Sequence, residues 1–448
     1  MNDRFEIPED VKVILNRLND HYEAYIVGGC VRDLILGIEP HDYDICTSAT
    51  PGEIMNIFHD ERIIETGLKH GTVTILYNGV GYEITTYRID GSYSDGRHPD
   101  DVIFTTDIIK DLGRRDFTIN AMAYNKDIGL VDPFGGFSDL RHKKIRCVGF
   151  ADDRFSEDAL RILRAMRFAI RYGFDIEMNT YEAMIRSRQG LETISKERIT
   201  SELEKMLSCG KAVRSIFLSC KDVMAVILPE LECCMNFNQH NKYHMHDVYE
   251  HILSVVDYCE TGDFVIKLAA LLHDIGKPST YTEDESGYGH FYEHQEASYE
   301  ISKEVISKRL RLSNEQYDET LLLIRYHDMD VVTTKKSVKR ALNKLGEGTF
   351  RKWLILKLAD RKDHIGFNAD EMLTDLKHIE DMLNDIIINR DCFSIKDLAV
   401  NGNDLINIGY KQGKELGAAL NQLLQQVLDG CENDKEKLLE IAGAIMSE

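Results

Sequence analysis

The stretch AYIVGGCVRDLILGIEPHDYD, Ala24–Asp44, decides how the rest of the chain is read. Its apolar opening (Tyr25, Ile26, Val27) predicts a short buried strand. Gly28 and Gly29 follow, then a short amphipathic helix from about Cys30 to Leu36. The chain turns at Gly37 and Pro40 and enters a second predicted strand carrying Asp42 and Asp44. Two residues apart on a strand, these carboxylates share a face. A glycine pair lets backbone approach a polyphosphate, and the helix that follows offers its N-terminus to an anion. Paired aspartates beside such a cradle meet the needs of two-metal phosphoryl transfer. Either half alone, a tight GG turn or a surface DxD pair, is commonplace; their spacing is what argues for a site.

Working outward, residues 8–20 predict an amphipathic helix that leads into the first strand. TSATPGEIMNIF begins with a Thr/Ser–Pro start that caps a helix. Two alternating apolar runs around Asn78-Gly79 predict a hairpin. Glu83 falls on its second strand, either as a third acidic group beside the aspartates or as a solvated strand carboxylate. A polar loop at 90–102 comes next, too long for structural padding. Arg114, Arg115 and Asp116 then introduce a helix, two arginines and an acid that suit a triphosphate held with metal. The turn at Asp132-Pro133 and Gly135-Gly136 and a short strand end this first region.

From Ser156, an N-cap candidate, the chain becomes helical as far as Gly173. Arg161, Arg164, Arg167 and Arg171 recur at three- and four-residue steps and form a stripe. Residues 139–171 hold nine Lys/Arg against five Asp/Glu, a local +4 in a chain of net charge −22. Such an acidic chain does not coat nucleic acid non-specifically, so a nucleic-acid substrate needs this local patch. Glu197, Arg198 and Glu202 sit close together on a further helix, where helical packing accounts for them. Residues 222–246 read as an inter-domain passage. From 244 to about 365 an all-helical unit delivers His251, His273, Asp274, His294, His327 and Asp360 near helix ends, a set that suits one or two divalent metals. The last segment is helical with Gly-marked turns.

At 448 residues two to four domains are expected. Ten cysteines without a CxxC suit reduced thiols, not a disulfide framework. No stretch reaches the roughly 18 apolar residues of a membrane span. The N-terminus lacks a signal-peptide pattern, so a cytoplasmic location and no membrane partner are expected.

The chain resembles the class II tRNA nucleotidyltransferases, the family shared by CCA-adding enzymes and bacterial poly(A) polymerases. The resemblance is carried by GGCVRDLILG and HDYD, YEITTYR, the 90–102 loop DGSYSDGRHPDDV, RRDFTINAMA, DPFGG, EDALRILRAMRFA, ERITSELEKML and LAVNGNDLINIG. Residues 244–360 resemble the HD phosphohydrolase domain. The family implies an α/β head with a small mixed sheet, then an all-α neck, HD-type body and tail. The boundaries expected here are 1–145, 146–240, 241–365 and 366–448.

It also implies tRNA as RNA substrate, CTP and ATP as nucleotides, and Mg²⁺ on Asp42 and Asp44 with Glu83 as the third acid. Gly28, Gly29 and Arg32 would cradle the triphosphate, Arg115 and Asp116 would orient sugar and phosphates, and Arg164 and Arg167 join the nucleotide set. Cytosine and adenine both present an exocyclic amine beside a ring-nitrogen acceptor. An aspartate accepting from the amine and an arginine donating to the ring nitrogen select both, and Asp158 and Arg161, one helical turn apart, form such a pair. Within the family the alternatives are a poly(A) polymerase or a CC- or A-adding enzyme. The 90–102 loop argues against CC-only addition, and the acidic charge against a polymerase. Outside it, the head could bind RNA ends for an HD phosphohydrolase with a divalent transition metal.

Overall fold

A computed structural model describes residues 5–91, 102–209, 212–240, 246–363 and 369–447. The expected loop at 90–102 lies almost wholly outside them. The chain divides into two compact units, Met1–Pro229 and Glu230–Glu448.

In the first unit, nine strands precede residue 132: β1 (Ala24–Val27), β2 (Ile45–Thr47), β3 (Arg62–Gly67), β4 (Thr72–Tyr77), β5 (Val80–Thr86), β6 (Arg88–Asp90), β7 (Val102–Phe104), β8 (Ala123–Asn125) and β9 (Gly129–Val131). Seven form one sheet in the order β3-β4-β5-β2-β1-β8-β9. Only β2 and β5 run parallel in it; the other neighbours are antiparallel. β1 and β2 are buried throughout, which is why their residues read as continuous apolar runs. Asn78 and Gly79 both take positive φ, as the two-residue hairpin β4–β5 requires. The Thr50–Glu53 capping box starts the helix Pro51–Ile57.

Three local expectations are corrected. β2 begins at Ile45, so Asp42 and Asp44 lie in the connection that enters the strand. Arg114 to Asp116 follow the helix Ile108–Gly113 instead of opening one; Arg114 is its C-cap. The helix expected from Ser156 is two helices, Ala151–Glu157 and Leu160–Tyr172. Ser156 lies inside the first, and the break falls at Asp158, whose carboxylate accepts from the Leu160 N–H at 3.0 Å. An aspartate that captures the amide two residues on supplies the cap that starts a new helix. Gly173 does end the second helix, in the left-handed conformation.

The passage expected at 222–246 is helical over Lys221–Ile227. Among its described residues, the second unit has helices and one hairpin, Tyr281–Glu283 against Gly289–Phe291. Its tail buries a separate core around Leu405, Leu423 and Leu438. No helix among the described residues is long and apolar enough to cross a membrane.

Candidate functional site

A cavity of about 410 Å³ in the first unit is lined by Gly29, Arg32, Asp44, Arg115, Asp116, Asp158, Arg161, Arg164 and Arg198, among others. Gly28 caps the helix Gly29–Ile35 at φ +79°, a conformation side chains rarely adopt, and a Cβ there would stand 2.8 Å from Arg115 Nη1. Glycine thus admits the Arg115 guanidinium to the cradle. Arg32 is buried, donating from Nη1 to Asn120 Oδ1 at 2.5 Å and from Nε to Asp33 Oδ1 at 2.8 Å.

Ile45 of β2 pairs in parallel with Ile84 of β5, so the preceding residues, Asp44 and Glu83, come to one side of the sheet. Asp44 sits at the rim, open to water yet surrounded by protein. Its carboxyl is raised above the ordinary value by burial first and by Asp42 and Glu83, with Arg115 opposing. Negative charge that raises the Asp44 carboxyl in this way suits a divalent cation.

Asp116 is buried and held by the helix Leu160–Tyr172. Arg164 donates to its Oδ2 from Nε at 2.8 Å and Nη2 at 2.5 Å, while Asn120 and the Phe117 amide donate to Oδ1. Burial works to raise its pKa, but Arg164 and these hydrogen bonds outweigh it and hold it at about 2. Asp158 and Arg161, the two residues expected to read the base, both line the cavity, and each side chain bonds a further group. Arg198 binds Asp158 Oδ2 at 2.7 Å. Arg161 binds Glu157 at 2.5 Å and the Arg154 and Arg114 carbonyls at 3.2 and 3.3 Å. Arg167 donates to Glu202 at 2.6 Å. The arginine stripe is real, but three of its four members carry an acidic partner. Arg198 and Glu202 are ion-pair partners of this group that reading along one helix missed, because their partners lie on another.

In the second unit, His251, His273, Asp274, His294, His327 and Asp360 come together. His251 Nε2 lies 3.1 Å from Asp274 Oδ2 and 3.3 Å from Asp360 Oδ1. His273 Nε2 lies 3.3 Å from Asp274 Oδ2. On the other side of Asp274, its Oδ1 lies 3.4 Å from His294 Nε2 and 3.5 Å from His327 Nε2.

His273, His294 and His327 each set Nδ1 against a backbone carbonyl, of Ala270, Phe291 and Ile324, at 2.7–2.9 Å. A carbonyl only accepts, so Nδ1 carries the proton and Nε2 turns a lone pair inward. Two such nitrogens, of His294 and His327, stand 3.1 Å apart. Burial lowers the pKa of His294 to about 4, so it does not relieve that contact by protonation at neutral pH. His273 Nε2 and Asp274 Oδ1 are buried without a hydrogen-bond partner. Facing lone pairs and orphaned acceptors around a bridging carboxylate fit two divalent metals, one bound by His251, His273 and Asp274 and the other by Asp274, His294 and His327.

Two neighbours escaped sequence reasoning. Asp363 holds His251 Nδ1 at 2.8 Å, and Lys277 Nζ lies 2.6 Å from Asp274 Oδ2. Their signal was spacing: each lies one helical turn past a residue of the set, Asp360 and Asp274. Burial works to lower the pKa of His251, but Asp274, Asp360 and Asp363 raise it to about 10.

Comparison with known proteins follows the same order along the chain. Residues 24–146 match the poly A polymerase head domain and 173–235 the RNA and SrmB-binding site of polymerase A. Residues 243–364 match the HD domain and 351–442 match tRNA nucleotidyltransferase domain 2. A CCA-adding enzyme of Oceanobacillus iheyensis is 50% identical over 207 residues, 46% of this chain and 51% of the relative. One of Geobacillus thermodenitrificans is 46% identical over 219 residues, 49% of this chain and 54% of the relative. The chain thus spans about half the length of the curated relatives it matches.

A crystal structure of the Bacillus stearothermophilus CCA-adding enzyme in complex with CTP covers 98% of both chains at 28% identity and a TM-score of 0.70. The Thermotoga maritima CCA-adding enzyme complexed with tRNA shares the fold, with a TM-score of 0.62 at 24% identity over 99% of this chain and 97% of that one. A nucleotidyltransferase head and an HD domain both imply divalent metal. Along the chain, then, a poly A polymerase head, an RNA-binding segment, an HD domain and a tRNA nucleotidyltransferase domain 2 are matched in turn.

Proposed function

We propose that this chain adds C, C and A in turn to the 3′ end of tRNA, using CTP and ATP without a nucleic-acid template and releasing pyrophosphate. The observation that supports the reading is one cavity that brings Arg32, Arg115, Asp44, Asp158 and Arg161 together. We read residues 1–145 as head, 146–240 as neck, 241–365 as the HD body and 366–448 as the tail.

Asp42 and Asp44, with Glu83 beside them, would hold Mg²⁺, whose charge acidifies the RNA 3′-hydroxyl and neutralises the leaving pyrophosphate. Arg32 and Arg115 meet the triphosphate at the glycine cradle. Asp116, gripped by Arg164, orients the sugar. Asp158, steadied by Arg198, accepts from the base amine while Arg161 donates to the ring nitrogen. Uracil and guanine present a carbonyl and a ring N–H there, which would leave both side chains unpaired.

The test is incubation with tRNA ending at the discriminator base, in C, or in CC, each with CTP, ATP or both. Addition of two C and one A, then arrest, is expected. Continued A addition, or failure to add C, overturns the reading in favour of a polymerase or an A-adding enzyme.

A second reading concerns the HD site, where the facing imidazoles favour hydrolysis. We read it as a phosphatase or 2′,3′-cyclic phosphodiesterase with a transition metal, which activates water for attack on phosphorus. Lys277, beside Asp274, is placed to meet a phosphate oxygen. Purified protein with no bound transition metal and no hydrolysis across Mn²⁺, Ni²⁺, Co²⁺ and Mg²⁺ overturns it.

A further inference from the structure

The cavity that opens onto the histidine cluster, about 450 Å³, is lined not only by Asp274, His294 and His327 but by His290 and Tyr292 of the adjoining hairpin. Nothing in phosphate hydrolysis calls for an aromatic wall. Tyr292 is 69% exposed, and its ring stacks on His290 at 5.3 Å and 8°. His290 is pinned from behind: Asp284 meets its Nε2 at 3.0 Å, and the Tyr288 ring lies 5.3 Å away.

The hairpin itself is anchored by packed rings. Tyr281 and Phe291, paired across the strands, pack ring to ring at 5.6 Å; Phe237 closes on Tyr281, and Lys277 sits over Phe291. Phe291 lines the cavity as well, and Tyr292 is the residue just past the strand. The result is a rigid ladder whose last ring faces water at the mouth of a phosphate-ester site. Large exposed aromatic surface held rigid at a cavity mouth marks a contact for a flat ligand.

We propose that this hairpin is a base-stacking platform, and that Tyr292 makes the HD site select phosphate esters of nucleosides over phosphate esters without a base. The proposal rests on reading the cluster as a phosphohydrolase. A terminal nucleotide of RNA and a free mononucleotide share the recognised chemistry, a planar base a ribose away from the phosphate.

The experiment has one arm that does not use hydrolysis. In full-length Tyr292→Trp protein, the introduced indole is exposed, whereas the single native Trp353 is buried. Titration with adenosine 2′-monophosphate, and separately with a short RNA ending in a 2′,3′-cyclic phosphate, is followed by indole quenching, with ribose 5-phosphate as control. Quenching by the mononucleotide supports a free-nucleotide ligand; quenching by the RNA alone supports an RNA end; ribose 5-phosphate is expected to do nothing. Equal response to all three, or to none, overturns the platform.

In the second arm, Tyr292→Ala is expected to raise KM for 2′,3′-cyclic AMP about tenfold, within the range of base–aromatic stacking, with kcat held. Hydrolysis of glycerol 2-phosphate should be unchanged, and Tyr292→Phe should restore the KM. Unchanged KM with active protein overturns the proposal. Absence of all hydrolysis with base-dependent quenching intact refutes the hydrolase reading and leaves the platform standing.

Discussion

Asp116 shows how one buried carboxylate ties the head to the helix that follows it. Its depressed pKa means the unfolded chain takes up the proton first, so acid favours unfolding. The contribution is fully present above the ordinary carboxyl value of about 3.9 and fades as pH falls toward about 2. Asp116→Ala leaves Arg164 without its carboxylate, and because the Arg164 side chain is 35% exposed the expected cost at neutral pH is about 2 kcal/mol, below that of a fully buried pair. Urea unfolding from pH 7 to pH 3 should show the gap to wild type constant at first and narrowing below about pH 4. A gap that widened in acid would refute the depressed pKa. Arg198 presents the complementary case, since it steadies Asp158 at 2.7 Å. Arg198→Ala is expected to raise KM for CTP and ATP by about tenfold and to relax rejection of UTP and GTP, because a loosened carboxylate discriminates poorly. Single-nucleotide incorporation assays measure both; unchanged selectivity would mean Asp158 is not the base reader.

Elements decide the geometry through their ends. The break at Asp158 puts Asp158 at the start of the helix Leu160–Tyr172, where its carboxylate can cap the helix and still face the cavity. The final turn of the helix Lys335–Lys362 does something similar for the histidine cluster. Asp360 and its C-cap Asp363, one turn apart, meet the two nitrogens of His251. Asp363 thereby sets the direction in which Nε2 points. Asp363→Asn is expected to lower divalent-metal affinity by about 10–100-fold while leaving the fold intact. Equilibrium dialysis with Mn²⁺ or Ni²⁺, with circular dichroism as control, checks it; wild-type affinity would make Asp363 a bystander.

At the scale of the molecule, the two sites fall in separate compact units, Met1–Pro229 and Glu230–Glu448. They should therefore fail independently. Asp42→Ala or Asp44→Ala is expected to slow nucleotide addition by at least roughly 10³-fold, the order seen when transition-state charge stabilisation is lost, with tRNA affinity nearly intact. The double change His273→Ala, Asp274→Ala should abolish hydrolysis and leave CCA addition within a few-fold. Loss of both activities in either variant would refute the separation. Under the proposed function the net charge of −22 leaves tRNA binding to local cations, so affinity should fall with salt by fewer counterions than a basic polymerase would release.

Local chemistry along the chain determined the buried strand at 24–27, the Asn78-Gly79 hairpin, the Thr50 cap, the stop at Gly173 and the histidine order of the second unit. Each depends on residues within a few positions, where periodicity and turn chemistry act. The pairings had to come from tertiary structure. Arg164 reaches Asp116 across 48 residues, Arg198 reaches Asp158 across 40, and Asp363 reaches His251 across 112. An arginine stripe on one helix looks free until other elements bring carboxylates to it. Asp158 and Arg161, three positions apart, share the cavity, yet their ion pairs are with Arg198 and Glu157. Charges buried together choose partners by proximity in space, which spacing along the chain does not encode.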